Sequence, residues 1–174
     1  MSGLAIAVLL LLVAIETLAA YISRIYAEFG KILSREMEQT LDTWEERIEP
    51  HLGLSREHAG LCAAVLQQFA LALIALDFGI VLFRRMAQTP GTGIGEILLA
   101  LVLIVTFSNQ FIPSLLLTRT QGAWAARILW LIRILLWLAT PVTVFIRFFY
   151  SIASLAEHPI GSQEEPAPDV DALI

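Results

Sequence analysis

Leu4-Ala5-Ile6-Ala7-Val8-Leu9-Leu10-Leu11-Leu12-Val13-Ala14-Ile15-Glu16-Thr17-Leu18-Ala19-Ala20-Tyr21-Ile22 is apolar apart from Glu16 and Thr17. At 1.5 Å per residue a helix of this stretch covers about 28 Å, close to the hydrocarbon thickness of a bilayer. Two further blocks follow. Residues 59–83 are interrupted by Gln67, Gln68 and Asp77, and residues 97–118 by Ser108, Asn109, Gln110 and Pro113 among others. Each is long enough to cross once. Composition agrees: 57% of the 174 residues are hydrophobic and 16% charged, against roughly 45–50% and about 25% in soluble domains. A soluble monomer is excluded. The first block reads as a span rather than a cleaved leader, because Met1-Ser2-Gly3 supplies no basic side chain ahead of it.

With three spans, the loops fall into two groups. Arg24, Lys31, Arg35, Arg47, Arg56, Arg119, Arg127, Arg133 and Arg147 lie on one side, and only Arg84 and Arg85 on the other. The excess of basic residues marks the cytoplasmic face, so the N-terminus is expected outside and the C-terminus in the cytoplasm. The net charge of -5 is concentrated in two places, from Glu28 to Glu57 and from Glu164 to Asp171. No basic surface suited to nucleic acid results. Cys62 is the single cysteine, so no internal disulfide can form.

Between the first two spans Leu33, Met37, Leu41, Trp44 and Ile48 recur at helical steps, the apolar face of an amphipathic cytoplasmic helix that Pro50 ends. Residues 123–156 are apolar but carry Arg127, Arg133 and Arg147. Arg133, Thr140, Arg147, Ser151 and Ser154 fall within about 60° of one another at 100° per residue, a narrow polar stripe suited to a juxtamembrane helix in the interface plane. A fourth span is the other reading. The expected fold is an all-α membrane protein of three transmembrane helices with cytoplasmic amphipathic and juxtamembrane helices. Residues 1–156 form its membrane domain, and residues 157–174 an acidic, proline-bearing tail.

Polar side chains inside a membrane are costly and cluster against one another or a cavity, so their depths are informative. Glu16 lies about 9 Å from the cytoplasmic end of its span, and Gln67, Gln68, Asn109 and Gln110 about 12–14 Å from that end of theirs. One carboxylate among several amide oxygens is a hard-cation environment. Pro113 has no N–H for the carbonyl of Asn109, which becomes a further candidate ligand. Hydrogen bonding that glues the helices together is the competing reading. Asp77, nearer the other face, is expected to pair with Arg84 or Arg85. His51 and His58 have no chelating spacing. No nucleophile, base and oxyanion set can be assembled, so an enzyme is not expected.

These signatures resemble the membrane domain of the CNNM/CorC magnesium transporters. Val13-Ala14-Ile15-Glu16-Thr17 is similar to the family's Ser-Gly-Ser-Glu-Thr. Val65-Leu66-Gln67-Gln68 stands where it has Ile-Gly-Asn-Asn, and Asn109-Gln110-Phe111-Ile112-Pro113-Ser114 where it has Gly-Glu-Ile-Ile-Pro-Lys. Glu16, Thr17 and Pro113 match outright. The resemblance implies a cell-membrane (plasma or inner) homodimer in the lipid bilayer, with a cytoplasmic CBS-type region or partner protein following the tail. It also implies Mg²⁺ transport or efflux, with Na⁺ as coupling ion, through Glu16, Gln67, Gln68, Asn109 and Gln110. A non-transporting relative, acting as a membrane scaffold or regulatory subunit, is the alternative.

Overall fold

The computed structural model describes residues 3–29, 35–88, 93–120 and 122–157. The tail beyond 157, residues 89–92 between the second and third spans, and Leu33 and the Met37 side chain of the apolar face lie outside what it describes. Among the described residues the chain is helical throughout, with no strand. The helices are α1 (Gly3–Glu28), α2 (Arg35–Arg47), α3 (Glu49–Leu52), α4 (Arg56–Gln88), α5 (Ile94–Thr106), α6 (Ile112–Arg119), α7 (Ala123–Arg127) and α8 (Leu129–Glu157); one π turn, Phe107–Phe111, joins α5 to α6.

Four stretches are long and apolar enough to cross a membrane: Gly3–Glu28, Arg56–Ala87, Ile94–Arg119 and Leu129–Phe149. The first three contain the expected spans. The fourth falls in the segment read as juxtamembrane; it qualifies because Arg133 and Arg147 are its only charged residues.

By its contacts the chain divides after Thr143. In the larger unit, α1 and α4 run antiparallel as the main pair. Tyr26 meets Gly60 near one end, where a Cβ on Gly60 would come 3.2 Å from the Tyr26 Cβ, so glycine there permits the close approach. Leu9 meets Asp77 toward the other end.

The buried core gathers at the Tyr26 end. Tyr21, Ile22 and Ile25 of α1, Leu41 and Trp44 of α2, Ile48 between α2 and α3, Cys62 and Ala63 of α4, Leu117 of α6 and Ile132 and Leu136 of α8 are all buried there. Glu38, Asp42, Glu45, Glu46 and Arg47 are exposed, so the described part of α2 turns its apolar side inward. Trp44 is the pivot. Its ring stands edge-on to Tyr21 (6.2 Å between centroids) and Tyr26 (6.0 Å), and its indole N–H donates to the Tyr26 hydroxyl at 3.3 Å. Gly122, at φ 71°, turns the chain from α6 into α7 in the left-handed region that glycine occupies without strain. Away from this end the pattern inverts. Leu4, Leu10, Leu76, Phe83, Leu99, Val102 and Trp137 are all exposed, as a lipid-facing surface requires.

The second unit, from Val144, contains the final turns of α8; there Val144, Phe145, Phe148, Phe149 and Ile152 are exposed.

A buried carboxylate in the seam of α1, α4 and the π turn

Pro113 shapes the site. Lacking an N–H, it cannot continue the α-helical ladder, and the Ile112 N–H bonds back five residues to the Phe107 carbonyl, which makes the π turn. The Ser114 hydroxyl donates to the carbonyls of Gln110 (2.7 Å) and Phe111 (2.9 Å), satisfying backbone that a proline disturbs. The Asn109 carbonyl, four residues before Pro113, receives Nη2 of Arg24 at 3.1 Å. The group proposed as a metal ligand from sequence is therefore occupied by a guanidinium from α1.

Glu16 is fully buried, and neither of its carboxylate oxygens has a hydrogen-bond partner among the described residues. Ser108 lies beside it, but that hydroxyl donates to the Val105 carbonyl at 3.5 Å. Gln67 Nε2 donates to Asn109 Oδ1 at 2.9 Å, which ties α4 to the π turn. The seam thus brings together Glu16, Ser108, Asn109, Gln67 and Arg24. Both oxygens of Asn109 accept hydrogen bonds, and Gln67 Oε1 is the amide oxygen not engaged in that pair.

Gln68 and Gln110 are exposed. This departs from the expected ligand set, and the reason is angular. Successive residues on an α-helix point about 100° apart, so on α4 only one of the adjacent glutamines faces the narrow seam. That residue is Gln67. In the π turn the inward positions are Ser108 and Asn109, and Gln110 turns out. No group of three His, Cys, Asp or Glu side chains able to hold a metal occurs among the described residues, so any cation bound here would depend on one carboxylate plus neutral oxygens and water.

Sequence reasoning missed Ser108 and Arg24. Ser108 stands directly before Asn109, within reach of the same depth argument. Arg24 is eight residues after Glu16, within about 80° of it around α1, but was counted only as a charge on the loop side. Asp77 also departs from expectation: Arg85 pairs with Glu96 at 3.7 Å, and Asp77 Oδ2 is buried with no hydrogen-bond partner among the described residues.

No family model, no curated protein and no solved structure matches this chain.

Proposed function

We propose that the chain is an integral membrane protein that binds and passes a small hard cation, Mg²⁺ first, at Glu16. The observation that carries this reading is a fully buried carboxylate whose two oxygens have no hydrogen-bond partner among the described residues. Such a group in an apolar surrounding takes up either a proton or a counter-charge, and the cation reading assigns it the second. Gln67 Oε1 would supply a neutral oxygen, Ser108 a hydroxyl, and retained water the remaining ligands that Mg²⁺ prefers. The similarity of the Glu16-Thr17 and Pro113 positions to CNNM/CorC motifs supports the same ion, with Na⁺ as coupling ion. Gln68 and Gln110 are dropped from the ligand set because they face outward.

The proposed topology has three spans, an external N-terminus and an interfacial α8. Support for an interfacial α8 comes from where its neighbours lie. Trp124, just before it, packs on Tyr21 with ring centroids 5.1 Å apart, and Thr143 lies 3.4 Å from the sulfur of Cys62. Since Gly60 faces Tyr26, Cys62 is level with about Arg24, within about 5 Å of Tyr21 along the α1 axis. The helix from Leu129 to Thr143 is about 21 Å long, and Trp124, five residues before it, packs near the level that Thr143 reaches, which favours a segment running across the pair rather than along it.

A second reading has a specific observation behind it. Arg24 on the Asn109 carbonyl and Gln67 on the Asn109 side chain are contacts of helix glue, as in a scaffold or regulatory subunit. Flux separates the two. Purified protein in liposomes loaded with Mg²⁺ and a Mg²⁺-sensitive dye is expected to release the ion, and Glu16→Gln to stop release while still folding. Equal release by both, or none by either, supports the scaffold.

A further inference from the structure

At the opposite end of the three-helix seam is a cavity of about 250 Å³. Leu9 of α1, Asp77, Val81 and Arg85 of α4, and Glu96 and Ala100 of α5 line it. Asp77, Val81 and Arg85 follow one another at steps of four on a single face of α4, so the crevice runs about 12 Å from a mouth at Arg85 to a floor at Asp77. Across the mouth Arg85 Nη1 faces Glu96 Oε2 at 3.7 Å, both side chains well exposed. An exposed pair of this kind contributes little and parts readily. At the floor, Asp77 Oδ2 is buried without a hydrogen-bond partner among the described residues. The space would hold several waters at about 30 Å³ each, enough for an ion that keeps part of its shell.

We infer that Asp77 is the carboxylate of a second site for a small hard cation, Na⁺ or Mg²⁺, reached from the Arg85 side of the membrane through this crevice. The site goes beyond the Glu16 reading, because it has its own cavity and its own unsatisfied oxygen. The three helices agree on how the two sites are stacked. From the Asp77 level to the Glu16 level is seven residues on α1 (Leu9 to Glu16), ten on α4 (Asp77 to Gln67) and eight on α5 and the π turn (Ala100 to Ser108), or about 10, 15 and 12 Å. No acidic residue intervenes on any of the three. Two carboxylates in series, one opening toward the Arg85 side and one deep in the seam, are the arrangement expected of an ion route. By the distribution of basic residues the Arg85 side is the outer one.

The test uses the full chain in intact cells, with Cys62→Ser as background and Val81→Cys as reporter, one turn above Asp77. A charged, membrane-impermeant methanethiosulfonate added outside is expected to modify Val81→Cys. The lipid-facing Leu76→Cys, exposed in the structure, is expected to stay unmodified. At constant ionic strength, with choline replaced by Na⁺ or Mg²⁺, modification should slow about threefold once the cation reaches twice its Kd. The two titrations tell which ion is held. Asp77→Asn should abolish this protection, and Glu16→Gln should leave it intact, so failure of the Glu16 site does not disguise failure of this one. An unreactive Val81→Cys, or protection equal in Asp77→Asn, overturns the inference.

Discussion

The contact between Arg24 and the Asn109 carbonyl makes a quantitative prediction, because it exists on account of a proline about one turn of helix beyond Asn109. Replacing Arg24 with Met keeps an unbranched apolar stem and removes the donor. The lost hydrogen bond is charge-assisted, 3.1 Å long and partly buried, a class that contributes about 1.5–3 kcal/mol. At about 2–4 °C per kcal/mol for a chain of this size, the thermal midpoint in detergent should fall by roughly 3–12 °C. In the Pro113→Ala background an alanine N–H is available to the same carbonyl, and the π turn can relax to an α-turn. Arg24→Met should then cost less by about 1 kcal/mol or more, a coupling well above the ~0.5 kcal/mol expected of independent sites. The assay is a double-mutant cycle on thermal or denaturant midpoints of the four proteins. Arg24→Met as stable as the parent, or equally costly with and without Pro113, would refute the claim that Arg24 satisfies backbone released by the proline.

Three further outcomes follow from the packing and the seam. Trp44→Ala, which empties a fully buried site and removes two ring contacts and the Tyr26 hydrogen bond, should cost about 3–5 kcal/mol in a denaturant titration, whereas Trp44→Phe should cost distinctly less. Gly122→Ala forces a side chain to φ 71° and should cost about 1–2 kcal/mol by the same measurement, while Ala125→Gly in the neighbouring helix α7 should cost no more than about 1 kcal/mol. Gln67→Leu should destabilise by about 1–3 kcal/mol by orphaning Asn109 Oδ1, and it should weaken any Mg²⁺-induced rise in midpoint. Gln68→Leu and Gln110→Leu, on exposed positions, should leave that rise unchanged.

How much of this was legible beforehand depends on dimension. Depth along a helix is a one-dimensional quantity, and 1.5 Å per residue sufficed to bring Glu16, Gln67 and Asn109 to one level. Azimuth is not readable in the same way. Gln67 against Gln68, and Asn109 against Gln110, differ by one residue, and which of each pair faces inward depends on helix rotation that packing decides. The π turn adds its own rotation, so no α-helical wheel could place residues 107–111. Pro113 did signal a disturbed carbonyl at Asn109, but not that a side chain as long as Arg24 would reach it from α1. For Asp77 the sequence offered two arginines on its own helix. The arrangement of α5 brings Glu96 to Arg85, and Asp77 Oδ2 has no hydrogen-bond partner among the described residues. Residues 129–149 remained open because composition alone serves a spanning or a lying helix. Its direction has to come from spatial neighbours, such as those of Trp124 and Thr143.

The central claim is that Glu16 is buried to hold a cation, and the most direct measurement is the thermal midpoint of the purified chain titrated with Mg²⁺, beside the same titration of Glu16→Gln. A ligand that binds the folded state alone stabilises it by about 2.7 kcal/mol at one hundred times its Kd, a rise of several degrees. The account predicts a saturable rise in the parent, with loss of the Glu16-dependent part in the variant. No response to Mg²⁺ in the parent, together with Glu16→Gln as stable as the parent or more so, would contradict it.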